Sequence, residues 1–305
     1  MRTMFPRLAR ALPLLLLLAR PAAAEDPPPP APPSPAAPLP IEDTMMKGAR
    51  YFDQAIAWVA RGGTLGKTKD FYAQLDATWD LREEQDESHF DGKQSVWFQF
   101  PDKLRIELAG TAVSQLKILD GEKAWVVGSD GLTHRQHGTP DGEKTIKQLK
   151  EDLLRMSDLT AFLTLEGLKG NGVQFEFLKA VQGSNAYEGK WLKLARHSPD
   201  GRKITFWLAY DVDAKGEPHA TWPGVVRVEG NAAQNLYTED WILKDWDSSR
   251  AKPRPYRYPS KIQAWKIAPE ASKEPSRKFL TAVIDDIQMN VGIEPTRFQP
   301  PQPPK

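Results

Sequence analysis

Four groups of residues have types and spacings that could carry chemistry. His134-Arg135-Gln136-His137 sets two imidazoles three residues apart, a spacing that metal sites use. The pair lies in a turn-rich stretch, however, where the nearest third ligand is Asp141. Gly62-Gly63-Thr64-Leu65-Gly66-Lys67-Thr68 has the look of a phosphate loop. Arg61 stands where its first glycine is needed, and the stretch follows a helical pattern where a phosphate loop follows a strand. Glu83, Glu84, Asp86 and Glu87 could offer a carboxylate pair of the kind that cleaves glycosides, but a run of acids this dense reads as a solvated loop. Asp285-Asp286, flanked by Ile284 and Ile287, interrupts a strand pattern in the way a β-bulge does. The chain has no GxSxG elbow, no HExxH and no cysteine. Thiolate nucleophiles, disulfides, cysteine-ligated zinc and iron–sulfur clusters are therefore excluded. The residues point to a protein that is not an enzyme, with no catalytic residue, no cofactor and no metal.

Apolar and aromatic side chains are what the chain has in quantity: ten Trp, twelve Phe and seven Tyr in 305 residues. Their spacing defines the elements that must hold them. Met45, Ala49, Phe52, Ile56 and Val59 recur at steps of three and four and predict one helix, capped by Asp43 or Thr44 and ended by Gly62-Gly63. Ile146, Leu149, Leu153, Met156, Leu159 and Leu163 predict a second over about 143–163. Val96, Phe98 and Phe100 alternate with Ser95, Trp97 and Gln99, and Leu104, Ile106 and Leu108 alternate with Lys103, Arg105 and Glu107. That period of two marks antiparallel strands with one buried face. Further strands are expected at 71–81, 113–119, 123–128, 173–179, 189–197, 203–211, 224–229, 238–246, 258–267 and 279–290. Turn signals such as Asp120-Gly121, Asp130-Gly131 and Pro199-Asp200-Gly201 separate them. The fold class is mainly β: one large curved antiparallel sheet with two or more helices on its concave side.

The two ends differ from this middle. Arg2, Arg7 and Arg10 precede a short apolar run over Leu12–Ala19, then Ala22-Ala23-Ala24. This is the pattern of an export signal cleaved after Ala24, and the run is too short to span a bilayer. Loss of residues 1–24 takes away four arginines and no acid, turning the formal charge of +1 into −3. A chain with that balance is not expected to bind nucleic acid. Residues 25–42 hold nine prolines and read as an extended tether, and 299–305 (QPPQPPK) as a proline-rich tail. The folded domain is expected over 43–298.

The stretch Ser95-Val-Trp-Phe-Gln-Phe-Pro-Asp-Lys-Leu-Arg-Ile-Glu-Leu108 resembles the outer-membrane lipoprotein carriers, the LolA/LolB-like family, in which a tryptophan-bearing strand and an x-Pro turn lead into a strand of the form "kfRwe". Leu116-Lys-Ile-Leu-Asp120-Gly121-Glu-Lys-Ala-Trp125 is similar to the family's "sDGktlW" strand, and Phe298-Gln-Pro300-Pro301 to its closing "F.f.pP". The resemblance implies an incomplete barrel of about eleven strands with helices plugging the open side, and a cavity for acyl chains. Carried over by position, it places Val96, Phe98, Phe100, Leu104, Ile106, Leu108, Leu116 and Ile118 along the cavity. Ile146, Leu149, Leu153 and Met156 fall on the helix that would serve as a lid. Two positions depart from the family. Phe100 stands where the carrier has an arginine that helps hold the lid closed, and Leu104 where the carrier has a phenylalanine. The chain is also longer, mainly over 165–255.

Together these features predict a soluble, monomeric periplasmic carrier or binding protein for the acyl chains of a lipid or an acylated lipoprotein, with envelope membrane proteins as further partners. The alternatives are an envelope sensor or interaction module of the same fold, and a secreted hydrolase.

Overall fold

A computed structural model describes residues 41–62, 68–83, 86–110, 114–199, 203–229, 238–246, 256–268 and 275–301. Thirteen strands form one antiparallel sheet in the order β6-β5-β4-β3-β2-β1-β13-β12-β11-β10-β9-β8-β7, with β6 and β7 as its edges, so the sheet does not close on itself. In chain order they are β1 (Asp70–Glu83), β2 (Asp86–Gln99), β3 (Lys103–Gly110), β4 (Ser114–Asp120), β5 (Lys123–Val127), β6 (Thr133–Arg135), β7 (Gln174–Gly183), β8 (Gly189–His197), β9 (Lys203–Val212), β10 (Pro218–Glu229), β11 (Thr238–Trp246), β12 (Pro259–Ile267) and β13 (Arg277–Met289). The helices are α1 (Ile41–Val59) and α2 (Gly142–Thr164). The mainly β, open-sheet expectation holds, with thirteen strands where about eleven were expected. The short edge strand β6 has no counterpart among the expected strands, and β1 and β2 run longer than expected, for 14 residues each. Of the acidic run, Glu83 pairs with Asp86 and Arg82 with Glu87 in the β1–β2 hairpin, and Glu84 lies outside the described residues. The helical pattern placed α2 to within a residue at each end, while α1 starts ahead of its predicted caps.

The chain groups into two compact units. The first is built from Thr68–Leu159 and Ile284–Lys305 and contains β1–β6, the end of β13 and α2 as far as Leu159. Gly121, with a φ of +62°, closes the two-residue link between β4 and β5, a conformation that glycine takes without the strain a Cβ would cause. After β13, Asn290 donates its backbone N–H to the Asp70 carbonyl, and the Asp70 carboxylate accepts the N–H of Val291 at 2.8 Å. This fixes the segment that ends in a 3-10 turn, Pro295–Phe298, whose Phe298 is fully buried. Along β13, buried positions fall at 282 and 284 and then at 287 and 289. The alternation slips by one residue at Asp285-Asp286, where Asp286 bonds the Ile287 N–H and the Gln288 amide.

The second unit takes 41–67 and 160–283 and holds α1, β7–β12 and most of β13. Helix α1 buries Tyr51, Phe52, Ala55 and Val59. Phe52 stacks on Phe175 of β7 with ring centres 3.6 Å apart and meets Phe206 of β9 edge-on at 5.5 Å. The helix backbone itself touches the strand: a Cβ on Gly48 would lie 2.1 Å from the Phe175 carbonyl oxygen. Further bonds fasten it. Gln54 accepts the Ala220 N–H, and Arg257 donates to the carbonyls of Trp58 and Val59.

The contact at Gly48 yields a direct prediction. Gly48→Ala gains intrinsic helix propensity but must push α1 off β7, and overpacking of this kind costs about 1–3 kcal/mol. The urea midpoint is expected to fall; an unchanged or higher midpoint would show that α1 does not approach β7 so closely.

Candidate functional site

In an antiparallel pair, residues directly opposite one another point to the same face. The register of β1 to β5 therefore sorts the first unit's side chains without ambiguity. Phe71 pairs with Phe98, Phe98 with Leu104, Leu104 with Leu119 and Leu119 with Ala124. Ala73, Val96, Ile106, Lys117 and Val126 form the next row on this face, and Leu75, Gln94, Leu108 and Gln115 the third. We call it the inner face. Phe98, Leu104 and Ile106 are wholly buried, Val96 and Leu108 nearly so, and Phe100, at the strand end, is half-buried. The aromatic rings of Phe71, Phe98 and Phe100 adjoin with centres 5.1 Å apart at each step.

The same register corrects two positions. Ile118 pairs with Arg105, and Leu116 with Glu107, so both lie on the opposite, outer face. They do not share a side with Leu104, Ile106 and Leu108. Alternation misplaces them because Lys117, Ile118 and Leu119 are all buried, which happens when a strand is covered on both sides. The outer cover is the 3-10 turn. Arg105 donates to the Arg297 carbonyl at 2.9 Å, the Arg297 guanidinium lies 5.0 Å from the Trp97 ring centre, and Gln299 bonds Asp120 at 2.9 Å.

Helix α2 lies over the inner face. Leu149, Leu153 and Met156 are buried and Ile146 is half-buried. Lys150 donates to Glu122, in the β4–β5 turn, at 2.6 Å. Among the buried leucines of α2 is Asp152, which is 2% exposed and interacts electrostatically with Lys117 of β4. Burial pushes the Lys117 ammonium down to about 8, and the Asp152 charge pulls it back up. One row further along, the side-chain oxygens of Gln94 and Gln115 are buried and meet no hydrogen-bond donor among the described residues. Gln94 as a whole is 2% exposed. The inner face is thus apolar in its first row, carries Lys117 in its second and Gln94 and Gln115 in its third, with Asp152 of α2 beside Lys117. Chemically it can take up an apolar chain and meet a polar end.

The second unit contains a polar cluster of a different kind. Asp240, fully buried, accepts two bonds from Arg227 at 2.7 Å each and a third from the Tyr187 hydroxyl at 2.7 Å. Burial and the Asp240 charge push the Tyr187 phenol up. Lys193 lies 3.6 Å from the Trp207 ring centre and is pushed down to about 8 by burial and by Arg227. Both oxygens of that carboxylate accept bonds, as in structural clusters. Next to α1, Met45, Met46, Ala49, Val173 and Phe175 line an open groove of about 430 Å³ with Asp53 and Lys169 ion-paired beside it.

The other sequence candidates fall elsewhere. His137 Nδ1 contacts the Ala124 backbone at 3.2 Å and its ring meets Trp125 edge-on, while His134 lies 4.0 Å from Asp130 on the surface. Among the described residues no group of three or more His, Asp and Glu is placed to hold a metal. Residues 63–67 of the phosphate-loop-like stretch, the export signal and residues 25–40 of the proline-rich tether lie outside the described residues, while 41–42 of the expected tether belong to α1. Among the described residues no helix is long and apolar enough to cross a membrane.

No protein-family model and no curated protein matches the chain. Among solved structures, it is similar to a LolA superfamily protein from Nitrosomonas europaea, with 10% identity over 83% of this chain and 97% of that one and a TM-score of 0.40. It is also similar to a DUF1329 family protein from Desulfovibrio piger, with 12% identity over 85% of this chain and 97% of that one and a TM-score of 0.40. At these values no residue role passes from those proteins to this one.

Two measurements follow from the buried pair. Asp152→Leu alone leaves Lys117 without its counter-charge, and it should lower stability by roughly 1–2 kcal/mol, because the amine can shed its proton at about 1.4 kcal/mol per pH unit. Lys117→Met with Asp152→Leu should match or exceed the wild type, since replacing a buried pair by apolar groups is commonly neutral or stabilising. The unfolded chain holds the Lys117 proton more tightly than the folded one, so folding is penalised below about pH 8 and the penalty fades as pH rises toward the ordinary 10.5. Urea midpoints should therefore climb from pH 7.5 to 9.5 in the wild type, and less steeply in the double variant; equal slopes would show that Lys117 is not the group that is desolvated.

Proposed function

We propose that this protein is a periplasmic carrier or binding protein for acyl chains, exported by its first 24 residues, with the inner face of β1–β5 as the acyl site and α2 as its lid. The observation that carries the reading is a group of polar side chains, two of them with idle oxygens, at the end of a buried apolar layer. A core built only for stability gains nothing there: each buried acceptor without a donor costs about 1–3 kcal/mol, and a buried ion pair is often less stable than an apolar replacement. A site that must accept an amphiphile has a use for both halves. Each methylene buried is worth about 0.8 kcal/mol, so Val96, Phe98, Leu104, Ile106 and Leu108 can hold a chain without any reacting group. Phe100 closes the apolar end, and Leu149, Leu153 and Met156 supply the opposite wall. The resemblance of Ser95–Leu108 to the lipoprotein carriers supports the same reading, and lipids or acylated lipoproteins are the ligands it suggests. Function here is binding and delivery, with no catalytic step.

Of the two helices, α2 is the one suited to move. Helix α1 meets β7 backbone to backbone at Gly48, whereas α2 has no glycine beyond Gly142 and reaches β4 through Asp152 and Lys150.

The chain has no cysteine, which makes a tether experiment clean. In Glu122→Cys/Lys150→Cys, a short cleavable bismaleimide would pin α2 to the β4–β5 turn at two exposed sites. Titration with a fluorescent fatty-acyl probe should show saturable binding in the wild type, at least about tenfold weaker binding when the bridge is in place, and recovery when it is cut. Equal affinity with and without the bridge would remove α2 as the lid, and a wild type that never binds the probe would sink the carrier reading itself.

A further inference from the structure

The ligand's polar end can be read from the atoms that await it. Gln94 on β2 and Gln115 on β4 both pair with Leu108 of β3, so the two amides flank one position of the inner face. Strands lie about 4.8 Å apart, which puts their backbones about 10 Å from each other with Leu108 between. Each presents a buried oxygen that meets no donor among the described residues. One row away, Lys117 of this face and Asp152 of α2 interact electrostatically.

Resting on the acyl-site reading above, we propose that the protein selects acyl ligands whose head is uncharged and donates hydrogen bonds, such as the hydroxyls of a glycerol monoester or the N–H of an acyl amide. Two idle acceptors require donors, and an ester or a hydrocarbon end has none to give. A carboxylate would set its negative charge against both glutamine oxygens and beside Asp152, while the one ammonium in reach is engaged by that same aspartate. The chain then runs from the Gln94–Leu108–Gln115 row past Val96 and Ile106 to Phe98 and Leu104. Four residues separate the first row from the last, a length of about 13 Å at the rise of a strand.

The test is competition against a fluorescent acyl probe on the whole protein, using four ligands with the same oleoyl chain: 1-oleoylglycerol, oleoyl ethanolamide, methyl oleate and oleate. Leaving acceptors empty in a dry site costs enough that the first two should compete at least about tenfold better than methyl oleate, with oleate weaker than both. Both of the first two bring donors to the row, two hydroxyls in 1-oleoylglycerol and an amide N–H with one hydroxyl in oleoyl ethanolamide. Gln94→Leu/Gln115→Leu should bring 1-oleoylglycerol and oleoyl ethanolamide down to the level of methyl oleate and leave methyl oleate where it was. The comparison of ligands on the wild type stands by itself if that variant folds poorly. Equal competition by 1-oleoylglycerol and methyl oleate, a clear preference for oleate, or a preference that survives in a folded double variant would overturn the inference while leaving the acyl site intact. Failure of all four ligands to displace the probe would overturn the acyl site as well.

Discussion

The pairing of β3 with β4 fixes what the first unit can do. Ile106 opposite Lys117 and Leu108 opposite Gln115 place a cation and an amide on the side that α2 covers. Because side chains alternate with a period of two, a slip of one residue would turn Leu116 and Ile118 inward and carry Lys117 to the outer side. Gln115 would turn outward with it, and Asp152 would lose its counter-charge. The charge pair, the inward Gln115 and the outer cover by the 3-10 turn all follow from that one register, which the bond from the Gly121 N–H to the Asp102 carbonyl helps to hold.

The two units use buried polarity in opposite ways. Around Asp240, three short bonds from Arg227 and Tyr187 engage both carboxylate oxygens, and Trp207, Trp191 and Ile242 pack there as ordinary core. In the first unit Gln94 and Gln115 hold buried oxygens that meet no donor among the described residues. Saturation stabilises; unused capacity costs stability and makes sense where a ligand is to fill it. The helices divide along the same line: α1 is fastened to β7 by stacked rings and a backbone contact, while α2 is placed by side chains.

Much of the fold was legible in the sequence because the patterns were clean where only one side of an element is covered. Val96-Trp97-Phe98 and Leu104-Arg105-Ile106 alternate as half-buried strands must, and Leu149, Leu153 and Met156 repeat at the helical step. Strand β4 was misread for a physical reason. With α2 on one side and Phe298's turn on the other, Lys117, Ile118 and Leu119 are all buried, and alternation no longer reports which side is which. The polar residues of the site were legible and passed over. Counting back by two from Phe98 and Val96 lands on Gln94, an amide at an inward position. Asp152, next to Leu153 and three residues after Leu149, is an acid within the apolar stripe of α2. A polar residue at a position that the period assigns to the core was the available signal. Gln115 and Lys117 could not be found that way, because their facing depends on register alone.

A photoreactive acyl probe carrying a diazirine in mid-chain, followed by peptide mapping of the labelled protein, tests the central claim most directly. The account predicts labels on 96–108 and on 149–156, competed away by unlabelled 1-oleoylglycerol. Labels confined to Met45, Met46, Val173 and Phe175 would place the acyl site in the groove beside α1 and contradict it.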